Sequence, residues 1–213
     1  KEGIDIHHVA RTGDIPPSIK SVNSNEVLII YTPAVSLDNI ELQFFLKKEY
    51  RIYKRAEILG MISNQLFTIA VAGTHGKTTT STILAHILNN GGKESTAFLG
   101  GISKNYNTNL LLAKRSNILI VEADEYDRSF LQLKPNIVII TSIDADHMEI
   151  YKTKQKLEET FVEFVSQIKE KGLLILEESI DINFSLPKGV SKLTYSANKQ
   201  ADFYTDNIRV KNG

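Results

Sequence analysis

The stretch Ile69-Ala70-Val71-Ala72-Gly73-Thr74-His75-Gly76-Lys77-Thr78-Thr79-Thr80 constrains the fold more than any other part of this chain. Its apolar first half predicts a buried strand, its two glycines a sharp turn, and its lysine and threonines the opening of a helix. A strand that turns this tightly into a helix presents backbone N–H groups at the helix start, where they can face an anion. Gly73 and Gly76 let the backbone bend and approach that anion without a Cβ in the way. Lys77 is placed to neutralise the β/γ oxygens of a nucleoside triphosphate, and the Thr78 hydroxyl to ligate Mg²⁺. The general pattern G-x-x-x-x-G-K-[ST] asks for glycine at position 71, where this chain has Val71. An incidental Gly-Lys-Thr on an ordinary strand–turn–helix is the competing reading. Strand, turn and helix nevertheless all fall where phosphate binding needs them.

The rest of the chain repeats this alternation. Strands are expected at 68–72, 95–99, 117–121, 136–143 and 173–176. A helix over 78–90 should bury Ile83, Leu84, Ile87 and Leu88, and Gly91-Gly92 should stop it. A second helix over 154–171 carries Leu157, Phe161, Phe164, Val165 and Ile168 at helical spacing. Strands alternating with helices imply a mostly parallel sheet covered on both faces. Before this region, 1–60 reads as short α/β units. Strands are expected at 3–6, 26–31 and 51–53, and helices at 39–49 and 56–63, the first with Ile40, Leu42, Phe44 and Phe45 inward. A linker is expected at 64–67, and short strands at 192–195 and 203–210.

Composition narrows the partners. Lys+Arg and Asp+Glu number 25 each, so no global charge points to nucleic acid or an anionic membrane. No apolar run approaches the ~20 residues of a membrane span. The chain has no cysteine, which removes disulfide and thiolate chemistry and fits a reducing, cytoplasmic setting. The start at Lys1, without an initiator methionine, reads as the interior of a longer protein.

Parallel α/β sheets bind ligands at the C-terminal ends of their strands. Besides the phosphate loop, two such ends carry chemistry. Val121-Glu122-Ala123-Asp124-Glu125 runs an apolar strand straight into carboxylates, and Ser142-Ile143-Asp144-Ala145-Asp146-His147 closes the strand at 136–143. An acid cluster alone reads as a solvated loop. Behind a phosphate loop, Glu122 becomes a candidate Mg²⁺ ligand beside the γ-phosphate. His147 is a candidate ligand too, although Mg²⁺ prefers oxygen. His7 and His8 read as part of a surface segment, and His86 lies on a helix with no metal-spaced partner.

Four segments give the chain a specific resemblance: Gly73-Thr74-His75-Gly76-Lys77-Thr78-Thr79, Glu122-Ala123-Asp124-Glu125, Asp144-Ala145-Asp146-His147, and Tyr53-Lys54-Arg55-Ala56-Glu57. Together they resemble the Mur ligases, the ATP-dependent amide ligases of peptidoglycan precursor synthesis. The Asp-Ala-Asp-His-Met turn is similar to that of the branch joining L-alanine to UDP-N-acetylmuramate. The phosphate loop alone would equally suit another Mur-type or folylpolyglutamate-type ligase.

The resemblance implies residues 1–65 of a Rossmann-like domain for the UDP-linked substrate and residues 66–213 of a central ATP-binding domain. It implies ATP and Mg²⁺ as cofactors, and UDP-N-acetylmuramate and L-alanine as small-molecule substrates. The nucleotide set would be Gly73, Thr74, His75, Gly76, Lys77, Thr78 and Thr79. Thr78, Glu122 and His147 would hold metal, with Lys77, Glu122 and His147 catalytic and Glu125 and Asp146 orienting their neighbours. Thr32, Ala34, Asn39 and Arg55 would face the UDP-linked substrate. The family's upstream glycine-rich turn and its C-terminal amino-acid domain are expected to lie outside these residues, leaving the stretch by itself without turnover. A nucleotide-binding module with no chemistry of its own is the reading from outside the ligases.

Overall fold

The structure is a computed structural model that describes residues 14–146, 148–197 and 200–206. The expected strand at 3–6, the end of the strand at 203–210, and His7, His8 and His147 lie outside the described residues. The chain divides into two compact units, with the division between Leu59 and Gly60.

The first unit contains α1 (Pro17–Lys20), β1 (Leu28–Tyr31), α2 (Ile40–Lys47) and β2 (Arg51–Lys54). β1 and β2 pair in parallel, from Leu28 opposite Arg51 to Tyr31 opposite Lys54. Asn39 caps α2, its side-chain oxygen accepting the Glu41 and Leu42 N–H groups at 3.0 Å each. Leu42 and Phe45 form the buried stripe of α2, and Ile40 is exposed. Two residues before Leu42 puts Ile40 on the far side of the helix, so the expected inward face was drawn too wide.

α3 (Arg55–Gln65) carries the chain across the division, and its last turn occupies the first half of the expected linker. β3 (Phe67–Ala72) then starts an eight-stranded sheet with α4 (Lys77–Asn90), β4 (Thr96–Ser103), β5 (Thr108–Leu111), β6 (Ile118–Glu122), β7 (Ile137–Ile140), α5 (Met148–Tyr151), α6 (Lys154–Val165), β8 (Leu173–Glu177), β9 (Ser191–Ser196) and β10 (Phe203–Tyr204). The strand order is β10-β9-β8-β7-β3-β6-β4-β5, parallel throughout except for the β4–β5 pair. β3 therefore lies between β6 and β7, and all three end at the same edge of the sheet. Ile69 to Ala72 are buried, which explains why this strand reads as a continuous apolar run.

α4 packs on β3, β4 and β6. α6 buries Leu157, Phe161, Phe164 and Val165, and Phe130 packs edge-on to Phe161 at 5.3 Å and stacks on Phe164 at 4.5 Å. The helix ends at Val165, short of the expected 171, although Ile168 is buried as expected. α4 faces the sheet with Ser81, Leu84, Ala85 and Leu88, whereas Ile83 and Ile87 are exposed. The expected face of α4 was thus rotated. Small residues at 81 and 85 form the contact stripe, and the larger isoleucines sit off it.

Two strands also differ from expectation. β4 runs through Gly100-Gly101 instead of ending there, and folds back as the short antiparallel β5 with a register shift between Phe98 and Ser103. β7 stops at Ile140, because from Thr141 onward the chain turns to the loop after β3. Among the described residues, no helix is long and apolar enough to cross a membrane.

Candidate active site

The loop between β3 and α4 takes its shape from its glycines and from the end of β7. Gly73 has φ +135° and Gly76 φ +82°, both in the region that disfavours side chains. A Cβ on Gly73 would stand 2.2 Å from Thr141 Oγ1. That space lets Thr141 reach under the loop and donate to the Ala72 carbonyl at 3.1 Å. Ser142 holds the next two residues. Its carbonyl accepts the Thr74 N–H at 3.0 Å, and its Oγ accepts the His75 N–H at 2.9 Å. The Thr74 hydroxyl lies 2.9 Å from Ser142 Oγ and accepts the Asp144 N–H at 3.0 Å. The amides of Thr74 and His75 are therefore committed within the protein. The remaining amides of the expected set stand at the start of α4, after Gly76, whose own carbonyl accepts from Thr80.

Lys77 is the first residue of α4 and bends back over the loop. Its ammonium donates to the Gly73 carbonyl at 2.7 Å and to both oxygens of Glu125, at 2.9 and 2.8 Å. Glu125 is fully buried, so this is a desolvated, bidentate ion pair. Tyr151, also buried, donates its hydroxyl to the Glu125 backbone carbonyl. Burial, with the Glu125 carboxylate near it, pushes the Tyr151 hydroxyl up to about 12, so it stays a neutral donor. The turn that carries these groups is strained, with Asp127 and Arg128 both at positive φ.

Glu122 ends β6 next to the loop. Its Oε1 accepts the Thr78 hydroxyl at 3.0 Å, and its Oε2 accepts the Gly100 N–H at 2.8 Å. A Cβ on Gly100 would come within 2.3 Å of both carboxylate oxygens. Gly100, the first of the glycine pair expected to end the strand, thus makes room for the carboxylate. A hydroxyl and a carboxylate side by side form a hard-oxygen pair that suits Mg²⁺. Among the described residues no group of three His, Asp or Glu side chains gathers as a metal cluster. His147 lies outside them. A cavity of about 290 Å³ opens beside the loop, lined by Thr141, Ser142, Asp144, Lys154, Glu158 and Glu177.

In the first unit, Thr32 and Ala34 follow the end of β1, and Arg55 follows the end of β2. Because β1 and β2 are parallel, these residues share one strand-end edge. Asn39 spends its side-chain oxygen on the cap of α2. His86 lies within 3.0 Å of the Tyr106 hydroxyl, a surface contact. Sequence reasoning missed Thr141, Ser142 and Gly100 as shapers of the site. The one available signal was that small polar or glycine residues stood at strand ends.

A sequence profile described as the Mur ligase middle domain matches residues 71–213. The chain belongs to the Mur ligase family. A UDP-N-acetylmuramate–L-alanine ligase of Porphyromonas gingivalis is 47% identical to this chain over all of it and 46% of that protein. The enzyme of the same name from Cytophaga hutchinsonii is 40% identical over the same shares. The chain thus spans about half the length of these relatives. The Mur ligase sheet is found in the solved UDP-N-acetylmuramate–alanine ligase of Thermotoga maritima, with TM-score 0.68 and 26% identity over 87% of this chain and 42% of that one. The UDP-N-acetylmuramate:L-alanyl-γ-D-glutamyl-meso-diaminopimelate ligase from Neisseria meningitides shares the fold, with TM-score 0.69 at 19% identity over 80% of this chain and 61% of that one.

Proposed function

We propose that this chain is the nucleotide-binding part of an ATP-dependent ligase that joins L-alanine to UDP-N-acetylmuramate through an acyl phosphate. The observation that carries the reading is the convergence of Lys77, Thr78, Glu122 and Glu125 on the ends of two adjacent parallel strands and the helix between them. Relatives bearing that enzyme name at 40–47% identity support the substrate assignment. A Mur ligase structure of the same fold was solved with ADP.

The chemistry follows from charge. A substrate carboxylate attacks the γ-phosphorus, the bond to the β-γ bridging oxygen breaks, and ADP leaves with an acyl phosphate formed. The amine of L-alanine then attacks the acyl carbon, loses a proton, and expels inorganic phosphate. The first step brings two anions together, so fixed positive charge must offset their repulsion. The first amides of α4 and the Lys77 ammonium would take the β/γ oxygens. Thr78 and Glu122 would hold Mg²⁺, with His147 as a further ligand by resemblance to the family. Bound there, the ion would supply Lewis-acid polarisation of the transferring phosphoryl group. Glu122 is kept aimed by the Gly100 N–H, and Lys77 by Glu125. Thr32, Ala34 and Arg55 would meet the UDP-linked substrate at their shared strand edge, in a domain reaching to about residue 65, and Asn39 would shape α2 beside it. The work would take place in the cytoplasm, where such nucleotide-linked precursors and ATP occur together.

The test is a coupled assay of the full-length protein. ADP and phosphate should appear only when ATP, Mg²⁺, UDP-N-acetylmuramate and L-alanine are all present. Phosphate retained on an acceptor without amide formation would instead indicate a kinase. Nucleotide affinity without turnover would indicate a binding module.

A further inference from the structure

We propose that Glu125 is a positioning residue that competes with the triphosphate for Lys77, so that nucleotide binding is an exchange of carboxylate for phosphate oxygen. This rests on the nucleotide reading above. A lysine ammonium has three N–H donors and no more. All three have partners here: the Gly73 carbonyl at 2.7 Å and the two Glu125 oxygens at 2.9 and 2.8 Å. A phosphate oxygen that accepts from Lys77 must displace one of them. The Gly73 carbonyl belongs to the loop itself, whereas the Glu125 carboxylate is a side chain that can yield one oxygen and keep the other.

The surroundings make the competition strong. Glu125 is fully buried and the Lys77 side chain only 13% exposed, so the pair is poorly screened by water. Burial also means that the carboxylate cannot leave. The Glu125 backbone is pinned by the Tyr151 hydroxyl, and nearby Ala123 donates its N–H to the Val71 carbonyl at 2.8 Å. Glu125 therefore does two things. It keeps the ammonium folded over the loop at the correct height, and it lowers the affinity the loop would otherwise have for nucleotide. A ligase that must release ADP each cycle gains from that second effect, because a lysine with a waiting carboxylate gives up its phosphate more readily.

The experiment is to titrate ATP–Mg²⁺ and ADP–Mg²⁺ against the full-length protein and its Glu125→Gln and Glu125→Asp variants, alongside steady-state kinetics. Glu125→Gln keeps the shape and removes the charge. Its nucleotide affinity should rise by roughly tenfold, the scale of one charge-assisted contact, and KM for ATP should fall with it while KM for the acceptor stays. Glu125→Asp, one methylene shorter, cannot reach with both oxygens and should bind with intermediate affinity. It also keeps the buried lysine compensated, so it decides the matter if the glutamine variant fails to fold. A merely structural glutamate would give variants that bind nucleotide equally or more weakly than the wild type, and that result overturns the proposal. If the wild type and both variants all ignore ATP, the nucleotide reading itself has failed and the proposal falls with it. That outcome is distinct from a wild type that binds while the variants do not bind more tightly.

Discussion

At the scale of single residues, the site depends as much on absent side chains as on present ones. Lys77, Thr78 and Glu122 are legible in the sequence because strand-to-helix glycine chemistry and an acid at a strand end have mechanical reasons to sit there. The partners that hold them are not legible. Nothing local in Gly100 announces that its N–H will orient Glu122, since the two lie 22 positions apart and meet only through the pairing of β4 with β6. Ser142 and Thr141 are likewise 68 and 69 positions from the loop atoms they bind. Gly100→Ala exposes this dependence directly. The added methyl would stand 2.3 Å from the Glu122 carboxylate, which must swing away. Turnover of the full-length protein should fall by roughly 10–100-fold, the usual cost of losing a group that orients a metal ligand, and its Mg²⁺ requirement should rise. Gly100 is exposed, so the melting temperature should barely move. Unchanged Mg²⁺ dependence would show that Glu122 does not serve the metal.

At the scale of elements, periodicity locates the four longer helices but not the short α1 and α5, and not always the buried faces. In α6 the apolar residues and the core face coincide. In α4 they do not, because the helix that starts after Gly76 packs through Ser81 and Ala85. β5 has a weak sequence signal because Thr108-Asn109-Leu110-Leu111 is short and half polar, and its antiparallel pairing with β4 is broken by a register shift. The end of α3 shows another long-range device. The Lys169 ammonium donates to the carbonyls of Ser63, Asn64 and Leu66 at 3.1, 3.1 and 3.2 Å. It thereby serves the C-terminal carbonyls that a helix leaves without partners. Burial lowers the Lys169 pKa. Lys169→Met keeps the stem and removes the donors. Thermal unfolding should show a loss of about 1–3 kcal/mol, the cost of leaving partly buried polar groups unpaired. A variant as stable as the wild type would mean that water serves those carbonyls equally well.

At the scale of the molecule, the alternation of strands and helices was enough to give a parallel α/β sheet, yet not its order. The sequence pattern cannot say that β3 lies between β6 and β7, because that choice is made by crossovers packing on opposite faces. The placement matters for function. It brings the loop after β3 between the acids after β6 and the turn after β7, so three strand ends that are remote in sequence share one edge. The most direct test is a crystal structure of the full-length protein with a non-hydrolysable ATP analogue and Mg²⁺. The triphosphate should lie against the first amides of α4, with a γ-phosphate oxygen accepting from Lys77 Nζ and the ion bound by Thr78 and Glu122. A nucleotide bound elsewhere, or one at the loop with Glu122 remote from the ion, would contradict the account.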